Sequence, residues 1–231
     1  MLIKGLQKVT LIDFPGRIAC TIFTGGCTFR CGFCYNSGLV LKPSQLPTLP
    51  KEDFFSFLDS RVGKLDGVCI TGGEPTLHAD LPDMCRMIKE KGFEVKLDTN
   101  GTNPDMVERL ISEKLVDYIA MDIKASREKY SRVVGVDVDL NKLSRTISLI
   151  IDSGLEHEFR TTVVPGILED QDLSRMGEWV KGAKRYFIQQ FRATDPAIGE
   201  KYKTAKPEPK EKLEKFKALI AVHVPEVSIR G

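Results

Sequence analysis

Short apolar runs alternate with longer amphipathic stretches along most of the chain. Residues 18–23, 67–71, 93–98, 118–122, 159–164 and 186–191 are short, apolar and rich in β-branched or aromatic side chains, which predicts buried strands. Residues 227–229 predict a further, terminal strand. Between them apolar residues recur at helical spacing: Phe54, Phe55, Leu58 and Val62; Met84, Met87 and Ile88; Met106, Val107, Leu110 and Ile111; Leu143, Ile147, Ile150 and Ile151; Leu173, Met176 and Val180. Strand–helix alternation implies parallel strands joined by right-handed crossovers. About six such units predict an α/β fold, a partial (β/α)6 TIM-like barrel. A doubly wound sheet is the alternative that periodicity alone leaves open.

Two stretches break the rhythm. Residues 37–50 carry three prolines and predict a loop. Residues 206–217 are charged and helix-prone, which predicts a solvated C-terminal helix. The expected organisation is a single domain over 1–231, with a core of about 16–192 and the charged helix and terminal strand within 206–231.

Composition narrows the class. The 231 residues are 42% hydrophobic and 29% charged, enough for a sizeable core. A net charge of +2 gives no general argument for nucleic-acid or membrane binding. The N-terminal residues lack a signal-peptide apolar region, and no apolar run reaches the length of a membrane span. A cytoplasmic protein that contacts neither nucleic acid nor membrane is expected.

The polar signals fall in one register. Gly25 to Cys34, then Gly72-Gly73-Glu74-Pro75, Asp98-Thr99-Asn100-Gly101 and Asp122-Ile123-Lys124 each lie at or just past the C-terminal end of a successive predicted strand. In barrels and open α/β sheets that edge binds ligands. Singly, the glycines read as a turn, Asp98 as a cap, and Asp122 with Lys124 as a surface ion pair.

Cysteine usage changes the picture most. Cys27, Cys31 and Cys34 form a C-x3-C-x2-C loop, a spacing that lets three thiolates surround one face of an iron–sulfur cubane. Arg30 can offset negative charge there. Cys69 and Cys85 fall in a predicted strand and helix and read as core. Three ligands without a fourth leave one iron open to a small molecule, the logic that separates catalytic from structural zinc sites. A zinc site and a metal-free cluster of cysteines remain the alternatives at this point. His78, His157 and His223 have no motif around them.

These motifs resemble the radical S-adenosylmethionine (SAM) superfamily: the cysteine triplet with Phe33 before its last member, followed by Gly72-Gly73-Glu74-Pro75. Thr10 to Gly16 (TLIDFPG), Asp98 to Gly101, Met121 to Lys124 and Val163 to Gly166 narrow the likeness to the glycyl-radical-enzyme activating enzymes. It runs over about residues 6–191 and is closest to activating proteins of anaerobic ribonucleoside-triphosphate reductase. It also extends to the pyruvate formate-lyase type. The resemblance implies one [4Fe–4S] cluster on Cys27, Cys31 and Cys34, with SAM as second cofactor. Phe33 and Tyr35 would lie near the adenine. Gly72, Gly73 and Glu74 would serve the methionine end. Asp98 would accept from the SAM amino group, Asp122 would bind the ribose and Lys124 would pair with the SAM carboxylate. Arg192 stands where the pyruvate formate-lyase activators carry a histidine.

No side-chain acid or base is implied, since the cofactors carry the chemistry. The absence of a cysteine-rich insert implies a single cluster. The implied partners are a glycyl radical enzyme as protein substrate and a low-potential electron donor such as flavodoxin or ferredoxin. A radical SAM enzyme acting on a small molecule, and a non-catalytic iron–sulfur or zinc module, are the competing readings.

Overall fold

The computed structural model describes residues 1–194 and 197–231. One sheet of eight strands follows chain order: β1 (Ile3–Thr10), β2 (Ala19–Thr24), β3 (Gly67–Gly72), β4 (Glu94–Thr99), β5 (Tyr118–Asp122), β6 (Glu156–Val163), β7 (Arg185–Gln190) and β8 (Glu226–Arg230). β1 runs antiparallel to β2 and every other neighbouring pair is parallel. β1 and β8 are the two edges and do not pair with each other, so the sheet curls into a partial barrel.

The central parallel strands largely alternate. Val68 and Ile70, Val95 and Leu97, Ile119 and Met121, and Phe159 and Val163 point outward and are buried in the main core. The intervening positions, among them Thr71, Asp98, Asp122 and Arg160, line the lumen. Apolar-out, polar-in alternation of period two is what a sheet with helices on one face and a wet cavity on the other requires.

The helices are α1 (Ser37–Leu41), α2 (Lys51–Asp59), α3 (Leu81–Glu90), α4 (Pro104–Ser112), α5 (Tyr130–Val134), α6 (Leu140–Asp152), α7 (Asp170–Trp179), α8 (Glu200–Lys203) and α9 (Lys210–Ala221). Several start on readable signals. Pro104 follows Asn103, whose side chain accepts from Met106 N–H; Asp139 accepts from Asn141 N–H at the head of α6. Among the described residues no helix is long and apolar enough to cross a membrane.

Three sequence expectations are corrected. β1 is absent from the predicted strands, because as an edge it buries only its ends and carries Lys4, Gln7 and Lys8. The loop expected over 37–50 contains α1, which buries Leu39 and Val40. The C-terminal helix is α9, and it is not simply solvated: Leu213, Phe216 and Ile220 are buried against α7, β7 and β8. Full burial of each is worth about 1.5–3 kcal/mol, which fixes this helix to the barrel wall.

Candidate active site

The cysteine loop leaves β2 and is clamped from several sides. Gly26 N–H donates to Leu39 O at 2.8 Å and Arg30 N–H to Val134 O at 2.8 Å; Gly199 N–H donates to Gly32 O at 2.7 Å. The Arg30 guanidinium donates to the carbonyls of Cys27 and Phe29, each at 2.7 Å, so it caps loop backbone. Tyr130, fully buried, meets Phe29 edge-on at 6.1 Å.

The turn after β3 is fitted into this loop. Glu74 N–H donates to Gly26 O at 2.7 Å and Gly73 N–H to Thr24 O at 2.9 Å. A Cβ on Gly73 would lie 1.8 Å from the Gly26 carbonyl oxygen. Gly72 has φ +117°, and a Cβ there would meet Thr24 N at 2.2 Å. Only glycine allows this approach. The Glu74 carboxylate is fully buried and committed to protein donors: Thr76 N–H (3.1 Å) and hydroxyl (2.5 Å), Thr99 hydroxyl (2.8 Å) and Asn100 N–H (2.6 Å). It ties the β3 and β4 turns together. Burial raises its pKa, and these hydrogen bonds offset that only in part.

A cavity of about 650 Å³ opens at the C-terminal ends of the parallel strands. Cys27, Cys31, Cys34, Phe33, Tyr35, Gly72, Gly73, Glu74, Asp98, Asp122, Lys124 and Arg192 all line it. The volume is of the usual size for a small-molecule or cofactor site. Tyr35 stacks on Phe191 at 6.1 Å and its hydroxyl accepts from Arg192 N–H at 2.8 Å. Phe33 is buried and packs edge-on against Tyr202 at 6.0 Å.

The lumen wall is a chain of alternating charge. Asp98 accepts from the buried Lys96 ammonium and from Arg160 Nη1 at 3.2 Å. Arg160 Nε donates to Asp122 Oδ1 at 3.0 Å, and Lys124 Nζ to Asp122 Oδ2 at 2.9 Å. Lower in the lumen, Arg230 forms two bonds to Glu158 at 3.0 and 3.1 Å. Burial alone would raise the pKa of both aspartates, yet Arg160, with Lys96 at Asp98 and Lys124 at Asp122, holds them below the usual range. Burial likewise works against the Lys124 charge, and Asp122 more than offsets it, so Lys124 stays protonated.

Lys96 and Arg160 did not emerge from the sequence motifs. The available signal was a single cation inside an otherwise strand-like run. His78 Nε2 donates to Gly25 O at 3.1 Å, and His157 sits between Leu155 O and Lys184 N–H; among the described residues no histidine lines the cavity.

The aspartates give a pH dependence. Unfolded aspartate titrates near about 3.9; the folded values lie lower. Their ion pairs therefore contribute fully above that pH and lose their contribution as pH falls through the folded values. Glu74 has the opposite sign, because its folded pKa is raised. The melting temperature of the metal-free protein is expected to drop steeply below about pH 4. A melting temperature that holds down to about pH 2 would contradict the charged lumen.

The sequence profile of the radical SAM superfamily matches residues 21–178. The chain belongs to the radical SAM superfamily. A Methanocaldococcus jannaschii protein provisionally named a glycyl-radical enzyme activating enzyme is 37% identical over 215 residues, covering 91% of this chain and 87% of its own. A second protein of that organism with the same provisional description is 28% identical over 181 residues, 76% of this chain and 67% of its own. The structure of Streptococcus suis SuiB bound to S-adenosylmethionine superposes with a TM-score of 0.70 at 14% identity, covering 90% of this chain and 49% of SuiB. This chain thus spans about half the length of that protein, and the likeness shows the shared fold.

This radical SAM chain is an enzyme of the activating family, and its cofactors are a [4Fe–4S] cluster held by three cysteines and SAM. The residues present fit that pair. Three thiols face one cavity, and none of Cys20, Cys69 and Cys85 lines it; all three are fully buried. Among the described residues no three His, Cys, Asp or Glu side chains converge as on a single metal ion. A cubane places each thiolate on its own iron, so its three ligands need not converge on one point. Burial raises the Cys27 thiol and pushes Cys31 up to about 12, so ligation must displace protons from both.

Proposed function

We propose that the chain installs a glycyl radical on anaerobic ribonucleoside-triphosphate reductase, using a cluster on Cys27, Cys31 and Cys34. The convergence of cluster-loop cysteines, β3 glycines and the Asp98–Asp122–Lys124 wall on one cavity supports this reading. So does the opening between β1 and β8, since Gln7 on one edge and Arg230 on the other line the same cavity. A peptide carrying a target glycine needs such a lateral entrance.

The cofactors supply one-electron cleavage of the sulfonium and a hydrogen-abstracting radical when bound. The chain's own residues orient and enclose. Tyr35, held by Phe191 and Arg192, and Phe33 flank the adenine. Asp98 accepts from the amino group, Asp122 from the ribose, and Lys124 pairs with the carboxylate. Each aspartate keeps acceptor capacity beyond its cationic partners. Gly72 and Gly73 let the backbone approach the methionine end; Glu74 acts through the loops it ties together. Arg192 closes the outer rim. The electron donor is a low-potential flavodoxin or ferredoxin. The six free thiols suit the reducing cytoplasm.

The test is direct. Anaerobically reconstituted protein, SAM, a low-potential reductant and purified anaerobic ribonucleotide reductase are expected to give a glycyl EPR doublet. A doublet only with pyruvate formate-lyase would reassign the partner. No doublet on any glycyl radical enzyme, with SAM cleavage intact, would point to a small-molecule substrate.

A further inference from the structure

Asn100 lies in the turn after β4, within the Asp98–Gly101 stretch, where the sequence gives its own side chain no role beyond a turn signal. The structure places its side chain elsewhere than a turn requires. The amide is buried, and its nitrogen donates to Thr28 Oγ1 at 2.8 Å and to Cys27 Sγ at 3.7 Å. Its orientation is set by the network. Oδ1 accepts from Thr102 N–H at 3.1 Å and from the Thr102 hydroxyl at 2.8 Å, so the flipped amide would oppose a donor to a donor. The backbone N–H of the same residue is spent on Glu74 at 2.6 Å. Asn100 is thereby fixed at both ends, with one amide N–H left for the sulfur.

Cys27 is singled out by this arrangement. Its Sγ also accepts from Phe29 N–H at 3.4 Å. Among the described residues no hydrogen-bond donor reaches Sγ of Cys31 or Cys34. A reduced iron–sulfur centre carries one more negative charge, spread partly over its sulfur ligands. A donor aimed at one of them stabilises the reduced state more than the oxidised one, which raises the reduction potential.

We infer that Asn100 is a positioning residue that tunes the cluster through Cys27, holding its reduction potential above the value the loop alone would give. The inference rests on Cys27 being a cluster ligand. It assigns the turn after β4 a redox role in addition to its place beside Glu74. Because the Glu74 bond uses backbone N–H, a side-chain replacement leaves that tie in place.

The measurement is the midpoint potential of the reconstituted full-length protein without SAM, by EPR-monitored redox titration. In Asn100→Leu the reduced-to-oxidised ratio at fixed potential is expected to fall about tenfold, a downward shift of about 59 mV for a one-electron couple. Thr102→Val keeps the amide donor and is expected to titrate near wild type. Should Asn100→Leu fail to fold, Asn100→Ser, too short to reach the sulfur, is expected to show the same downward shift. An unchanged midpoint in a fully loaded Asn100 variant overturns the inference and leaves the function standing. A fall of equal size in Thr102→Val also overturns it, since loop disturbance would then account for both. Wild-type protein that assembles no cluster overturns the underlying ligand reading instead.

Discussion

Alanine at Cys27, Cys31 or Cys34 is expected to remove the iron–sulfur chromophore and SAM cleavage together. On the proposed ligand set each thiolate would hold a separate iron, so losing one would expose a second corner of the cubane to solvent, and among the described residues no spare cysteine lines the cavity to replace it. Cys69→Ala and Cys85→Ala are expected to keep iron near wild type. Cys69 packs inside the barrel with its sulfur 3.9 Å from Lys96 Nζ, and Cys85 is buried on α3. Their loss costs packing, of the order of 1 kcal/mol for a small buried group. Iron content per chain and 5′-deoxyadenosine formation measure both halves. Equal iron loss at all five positions would contradict the ligand assignment.

Arg160→Met is expected to be the most damaging change outside the cysteine loop. Arg160 bonds Asp98 and Asp122 at once and lies 3.8 Å from Glu158, in a wall where its side chain is only 12% exposed. Removing one partner from a buried ionic network leaves the others uncompensated and costs about 3–5 kcal/mol. The aspartate wall of the cofactor cavity is then held from one side only. Denaturant unfolding of the metal-free protein is the readout. Arg160→Lys is expected to recover little, since a single ammonium cannot reproduce the forked contact with two carboxylates. The difference from wild type is expected to shrink as pH falls below the unfolded aspartate value of about 3.9 and to close only as it passes the lower folded values. A loss under about 1 kcal/mol at neutral pH would show that the two aspartates do not depend on this bridge.

The site was legible in the sequence to the extent that its residues sit at strand ends. Cysteines, glycines and carboxylates recurring one strand apart need no knowledge of packing to be grouped, and the cavity gathers Cys27, Cys31, Cys34, Gly72, Gly73, Glu74, Asp98 and Asp122. Lys96 and Arg160 were hidden for a physical reason. The strands announce themselves through their outward, helix-facing half, and a cation on the inward half looks like an interruption until the lumen is known to be polar. Glu74 was legible as part of a motif but not as a tie between turns, because its partners Thr99 and Asn100 become neighbours only when β3 and β4 pair. β1 was missed because an edge strand needs little apolar content, and α9 was underestimated because a short buried stripe lies among many lysines and glutamates.

The contact between Gly73 and the Gly26 carbonyl also bears on how such a protein can change over generations. Two turns distant in sequence share one van der Waals surface with no slack between them. A methyl group gained at Gly73 cannot be absorbed locally, since the obstacle is backbone and not a movable side chain. It would displace the strand-to-loop junction just ahead of Cys27. The loop that carries the three cysteines and the turn after β3 therefore form a single heritable unit, and drift in either is constrained by the other.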